Sequence, residues 1–346
     1  MAESAISRRY VSGKGVSFDF PIVYTNSKAN TKTKNMQWIL IALFSYFFGA
    51  VTVILDKYLL GSKRISSAPV YAFYVGIFGM GVLVLAPLGL FFQSFALHLP
   101  SAGMQLVSIS GGVIYIFGIA AFYFAVRASE ASRITPVVFS IIPIVTYIVS
   151  AITGRENLTF LKTGGIALLI FGGLLISLNS LPKGKKKLFS GFRFAVLSGL
   201  LLGFSYVFFK EAYVRQEFYS GFVWTRCGLF LGALLFLLIP SWRRVILASF
   251  QSAKRSPRKQ YATGSLFVFN KILGGTSSLL LNKAFQLGSI TAVNAMIAVQ
   301  YVFVLAIAFM APKQQRKIFG EQYQQSVWLQ KMGAIIIIAA GMYLIS

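Results

Sequence analysis

A chain of 346 residues that is 56% hydrophobic, with a mean hydropathy of +0.72, cannot be an ordinary soluble domain. Its net charge of +25 at pH 7 is concentrated in short segments between apolar runs, which points to anionic lipid headgroups and to topology, not to nucleic acid. One cysteine, Cys227, rules out an intrachain disulfide.

Residues 1–35 have no apolar stretch of signal-peptide type. They are Ser/Asn/Lys-rich with Arg8, Arg9, Lys14, Lys28, Lys32 and Lys34, and read as a disordered basic tail. A spanning helix needs roughly 20 apolar residues to cover about 30 Å of hydrocarbon. Ten stretches meet that length: 37–56, 68–92, 103–126, 134–153, 160–180, 190–210, 220–240, 263–285, 290–311 and 328–345. Backbone groups in lipid must be satisfied internally, and runs this long exclude a β-barrel. The expectation is an all-α polytopic membrane protein of ten transmembrane helices.

The last five runs repeat the first five. Ala125-Val126-Arg127-Ala128-Ser129-Glu130 is echoed by Ala284-Phe285-Gln286-Leu287-Gly288-Ser289. Phe160-Leu161, Gly165 and Gly173 are echoed by Trp328-Leu329, Gly333 and Gly341. Gly49 pairs with Gly203, Asp56-Lys57 with Lys210-Glu211, and Pro69 to Tyr74 with Gly221 to Arg226. An odd number of spans per copy inverts the second copy, so the expected units are a repeat over 36–182 and an inverted repeat over 183–346. Two inverted halves around a site near the midplane is a secondary-transporter architecture.

Arg127-Ala128-Ser129-Glu130-Ala131-Ser132-Arg133-Ile134-Thr135-Pro136, then Pro143, then Gly154-Arg155-Glu156-Asn157-Leu158-Thr159 and a glycine-rich span, resembles one EamA repeat. That repeat characterises the ten-helix branch of the drug/metabolite transporter superfamily. Phe222-Val223-Trp224-Thr225-Arg226 is similar to the family's arginine-bearing second helix. The resemblance covers roughly residues 37–346. It implies alternating access, movement of small metabolites and both termini in the cytoplasm. The loop charges oppose that orientation: the basic clusters follow the odd spans, as in Lys185 to Lys187 and Arg243 to Lys259. The chain also departs from the superfamily's small members, because no acid lies between Trp38 and Leu55 of the first span.

Charges and amides inside spans are costly, so each needs a reason. Lys271, Gly274, Gly275, Ser278 and Asn282 share one helical face, suited to an anionic or zwitterionic solute. The competing account is a snorkelling Lys271 with packing glycines. Arg226 either binds substrate or anchors an interface, and its counterpart Tyr74 either offers a hydroxyl or joins an aromatic belt. Asn294 and Tyr301 lie seven apart on one face, as substrate ligands or as helix glue. Asp56, Lys57, Lys210 and Glu211 end the first and sixth spans, as plain flanking charges or as paired gates with a coupling acid. Gly164, Gly165, Gly172, Gly173, Gly333 and Gly341 allow tight packing, inside the chain or at a homodimer face.

No H-E-x-x-H or G-x-S-x-G motif is present, and the single histidine, His98, sits in a loop. The residues therefore point away from an enzyme and offer no metal or cofactor site. The expected function is secondary active transport of a small polar metabolite (amino acid, sugar or related solute) across the plasma or inner membrane. The alternative is a non-transporting scaffold or a flippase subunit for lipid-linked sugars.

Overall fold

The computed structural model describes residues 31–61, 67–92, 95–128, 131–154, 159–177, 191–252, 257–310 and 325–345. They are all-helical, with no strand among them. The α-helices are α1 (Thr31–Gly61), α2 (Ala68–Gly79), α3 (Ala102–Ala128), α4 (Ala131–Ile152), α5 (Phe160–Ser177), α6 (Phe192–Arg215), α7 (Phe218–Leu235), α8 (Pro240–Ser252), α9 (Pro257–Leu287), α10 (Ile290–Ala295), α11 (Ile297–Met310) and α12 (Gln325–Ile345). Among the described residues, seven helical segments are long and apolar enough to cross a membrane. Three further apolar helices, Val137–Ile152, Phe160–Leu175 and Leu329–Ile345, are shorter. The expected tail over 1–30 lies outside the described residues, and residues 31–35 already belong to α1.

Four features depart from ten plain helices. The second span begins as α2, with Ser67 accepting from the Val70 N–H, and then tightens into a 3-10 segment, Met80–Leu90. Gly79, Gly81, Pro87 and Gly89 fall in or beside that segment, where weak helix propensity and a missing donor favour departure from the α form. The ninth span is broken at Met296 into α10 and α11. The break takes Val293 O out of the helical ladder, and the Tyr46 hydroxyl of α1 donates to it at 2.5 Å. Discontinuous spans with replaced backbone partners are a transporter feature.

The third departure is α8, which occupies what reads in sequence as a basic loop. Trp242 and Ile246, four apart, turn onto the bundle, Trp242 packing against Phe236, Phe117 and Phe124. Arg243 and Arg244 stay exposed, so α8 is an amphipathic helix with a cationic outer side. The fourth departure is α9, which starts at Pro257, ahead of its predicted span.

Helix pairing crosses the two sequence halves. α1 packs on α9 and α11, α3 on α6 and α7, α4 on α6 and α10, α2 on α7, and α5 on α12. Serine side chains tie two of these pairs through backbone carbonyls. Ser45 Oγ donates to Ser277 O at 2.7 Å and Ser277 Oγ to Ser45 O at 2.8 Å. Ser198 and Ser205 of α6 donate to Gly118 O and Gly111 O of α3. Such bonds replace the hydrophobic drive that helices lack in lipid.

The α3–α7 crossing is closer still. A Cβ on Gly112 would lie 2.2 Å from Thr225 O, and one on Gly228 would lie 2.3 Å from Ile109 O. Only glycine permits this backbone contact. At the α5–α12 crossing, Gly165 and Gly341 approach each other in the same way, while Gly164 and Gly333 meet nothing within 4 Å. Large apolar side chains such as Leu40, Phe44, Phe171, Phe269 and Ile336 cover the outside. A surface of this kind suits lipid.

Candidate functional site

Arg226 stands eight residues inside α7 and is only 5% exposed. Its Nη2 donates to Ser278 Oγ of α9 at 2.8 Å, and its guanidinium carbon lies 4.2 Å from the Phe222 ring centroid and 5.8 Å from that of Phe209. The tyrosines Tyr115, Tyr206 and Tyr213 are within electrostatic reach, and the Tyr115 and Tyr206 ring centroids lie 5.9 Å apart. The described acids are Asp56, Glu211 and Glu217, and none pairs with Arg226. Asn282, one turn beyond Ser278, donates to Ser278 O at 2.6 Å and to Ser278 Oγ at 3.2 Å. Its buried Oδ1 accepts nothing.

Two turns along α9 from Ser278, about 10 Å by helical rise, lies the second polar cluster. Lys271 Nζ is 3.4 Å from Asp56 Oδ1 and donates to the Tyr71 hydroxyl at 2.8 Å. Tyr71 in turn donates to Asp56 Oδ1, which also accepts from Asn270 Nδ2 at 2.6 Å. The Lys271 ammonium lies over the Tyr71 and Phe267 rings, and Tyr71 packs edge-on against Tyr123. Three helices, α1, α2 and α9, thus meet through side chains around one carboxylate. Lys271 is turned inward and paired.

The sequence-derived residues sort into separate places. Arg226, Ser278 and Asn282 come together, as do Asp56 and Lys271. Tyr74 is elsewhere: its hydroxyl is 3.3 Å from Ser249 Oγ of α8, beside Phe250. Tyr74→Phe is accordingly expected to change stability by less than about 0.5 kcal/mol, checked by thermal unfolding in detergent. Asn294 and Tyr301 flank the break in the ninth span, with Asn294 Nδ2 and the Tyr301 hydroxyl buried and unpartnered. Tyr301 also lines a small cavity with Phe139, Ser140, Gly173 and Ala298.

Lys210 Nζ donates to Phe285 O and Gly288 O, closing the C-terminal end of α9. Glu211 pairs with Arg215 one turn on. The side chain of Lys57 lies outside the described residues. A cation on terminal carbonyls answers the helix dipole, so Lys210→Met should cost about 1–2 kcal/mol, read as a lower melting midpoint.

Reading by sequence alone passes over Tyr71, Tyr115, Tyr206 and Phe209, whereas Asn270 beside Lys271 already stands out as an intramembrane amide where the third span has Gly111-Gly112. The aromatic residues carry no such signal, because 15% of the chain is aromatic and their role depends on which helices meet.

The fold and these clusters define a class: an all-helical, multi-pass protein of apolar helices with ionisable groups turned inward. Comparison with known proteins adds only the fold. No family model and no curated protein matches the chain. Twenty-two chains of solved structure do. One of them, described only as a crystal structure of a protein, superposes with a TM-score of 0.60 and 15% identity over 89% of this chain and 96% of its own.

Proposed function

We propose that the chain is a secondary active transporter of a small polar metabolite, built as ten membrane helices in two inverted five-helix repeats of EamA type, in the plasma or inner membrane. One observation carries this reading: Arg226 is buried in the interior with no carboxylate partner among the described residues. A scaffold gains nothing from an uncompensated guanidinium, which costs several kcal/mol to bury. A binding site for a passing anion does.

The helix pairings support the repeat. Under the residue matching above, α1 on α9 corresponds to α6 on α3, and each of these two pairs is tied by serine-to-carbonyl bonds. The corresponding α3–α7 and α9–α2 crossings differ. The first is a glycine seam with backbones touching, whereas the second is bridged by the Lys271 and Tyr71 side chains. Under alternating access, the seam is the tightly sealed side and the Asp56–Lys271–Tyr71 cluster the gate that separates.

Uptake by proteoliposomes of the purified full chain, screened across amino acids, sugars and organic acids, tests the reading. Saturable flux of at least one solute is expected. A monodisperse, folded protein that moves none of them would overturn it.

A further inference from the structure

We infer that the Arg226 site takes a small organic monocarboxylate that carries a neutral hydroxyl and an apolar or aromatic body, and excludes zwitterionic amino acids, phosphate esters and uncharged sugars. The inference deepens the transport reading and rests on it only for calling the ligand a substrate.

Charge comes first. A guanidinium offers five N–H donors, and the only side-chain acceptor bonded to Arg226 among the described residues is Ser278 Oγ. The remaining donors and one full positive charge await an acceptor. The planar fork matches a carboxylate with two parallel bonds. One cation balances one negative charge. A phosphate dianion would need a second, and the neighbouring lysines are committed: Lys271 to Asp56 and Tyr71, Lys283 to Gln286 Oε1 at 2.6 Å.

The same count rejects amino acids. An α-ammonium group would enter beside the guanidinium with no acid to receive it. The described acids are engaged elsewhere: Asp56 accepts from Tyr71, Asn270 and Lys271, Glu211 pairs with Arg215, and Glu217 faces the Lys283 charge. What the site does offer is the buried Asn282 Oδ1, an acceptor without a donor. A neutral hydroxyl on the ligand satisfies it without adding charge.

Shape gives the rest. Phe209 and Phe222 flank the guanidinium, and Tyr115, Tyr206 and Phe285 continue the aromatic wall. Aromatic faces suit a flat or apolar body.

The test is ligand-induced thermal stabilisation of the full chain in detergent, with mandelate, lactate, phenylalanine, inorganic phosphate and glucose as probes. Mandelate is expected to raise the melting midpoint saturably, lactate to do so more weakly, and the other three not at all. Arg226→Gln should abolish the shift, and Asn282→Ala should weaken mandelate binding about tenfold. If Arg226→Gln does not fold, Ser278→Ala takes its place, with weaker binding expected. Equal stabilisation by phenylalanine or phosphate, no shift with mandelate, or an undiminished shift in the variants would overturn the inference. Proteoliposome uptake separates it from the transport reading. Mandelate binding without flux retires transport and leaves the site. Flux of an uncharged solute that Arg226→Gln leaves unchanged retires the site and leaves transport.

Discussion

Gly112→Val is expected to destroy the folded bundle. The new Cβ would stand 2.2 Å from Thr225 O, 2.6 Å from Leu229 N and 2.7 Å from Gly228 C, all of them backbone atoms. Overpacking a core usually costs about 1–3 kcal/mol because side chains turn aside to absorb part of it. Here a helix backbone would have to move, so the loss should exceed that range, and the two γ-methyls of valine worsen it. α3 also packs on α6 through Gly111 and Gly118, which blocks retreat in that direction. Expression, monodispersity and melting midpoint in detergent are the readouts. Gly275→Ala is the control: nothing lies within 4 Å of its Cβ, and the gain in helix propensity should leave stability unchanged or raised by up to about 1 kcal/mol. A Gly112→Val protein as stable as the parent would mean that α3 and α7 do not touch through their backbones.

Asp56→Ala is the second large effect. It removes the carboxylate that faces Lys271 and that accepts from Tyr71 and Asn270, leaving an ammonium enclosed by aromatic rings. Removing one partner of a fully buried pair costs about 3–5 kcal/mol, because the other charge remains without compensation; these side chains are 16% and 22% exposed, which puts the loss at the lower end of that range. Replacing both partners with apolar groups is far cheaper. Asp56→Ala should therefore melt well below the parent, and adding Lys271→Met should restore most of the loss. A double-mutant cycle gives the coupling directly, since the two side chains touch. Additive losses would show that the pair does not interact. Uptake by the restored double variant then separates the roles: a strut leaves flux intact, whereas a gate held shut by the pair leaves the pathway poorly closed and lets substrate leak down its gradient.

Much of the fold was legible in the sequence. Apolar runs of membrane length fix helices because no other backbone arrangement satisfies its own polar groups in lipid. The duplicated pattern, from Ala125 and Ala284 onward, is a feature of the sequence, of the kind expected where helices keep their register while loops drift. Arg226 and Lys271 stood out as charges in apolar context. The breaks were not legible. Met296 is an ordinary helix former, and the Tyr46 hydroxyl that donates to Val293 O beside the break comes from a distant helix. The helix α8 was concealed by its arginines, although Trp242 and Ile246 at a spacing of four carry its signature.

The sequence by itself determined that the chain is a helical membrane protein and which of its residues are too costly to be buried without a purpose. It could not say which purpose. Lys271 and Arg226 look alike along the chain, each a cation in an apolar helix. Tertiary packing separates them, giving Lys271 an acid from α1 and a phenol from α2, and giving Arg226 a serine, aromatic faces and no carboxylate among the described residues. The reason is physical: hydropathy belongs to one residue and can be read locally, whereas charge compensation belongs to a pair. The partners of these pairs lie 52 residues away for Arg226 and 215 for Lys271, and only the folded bundle brings them within reach.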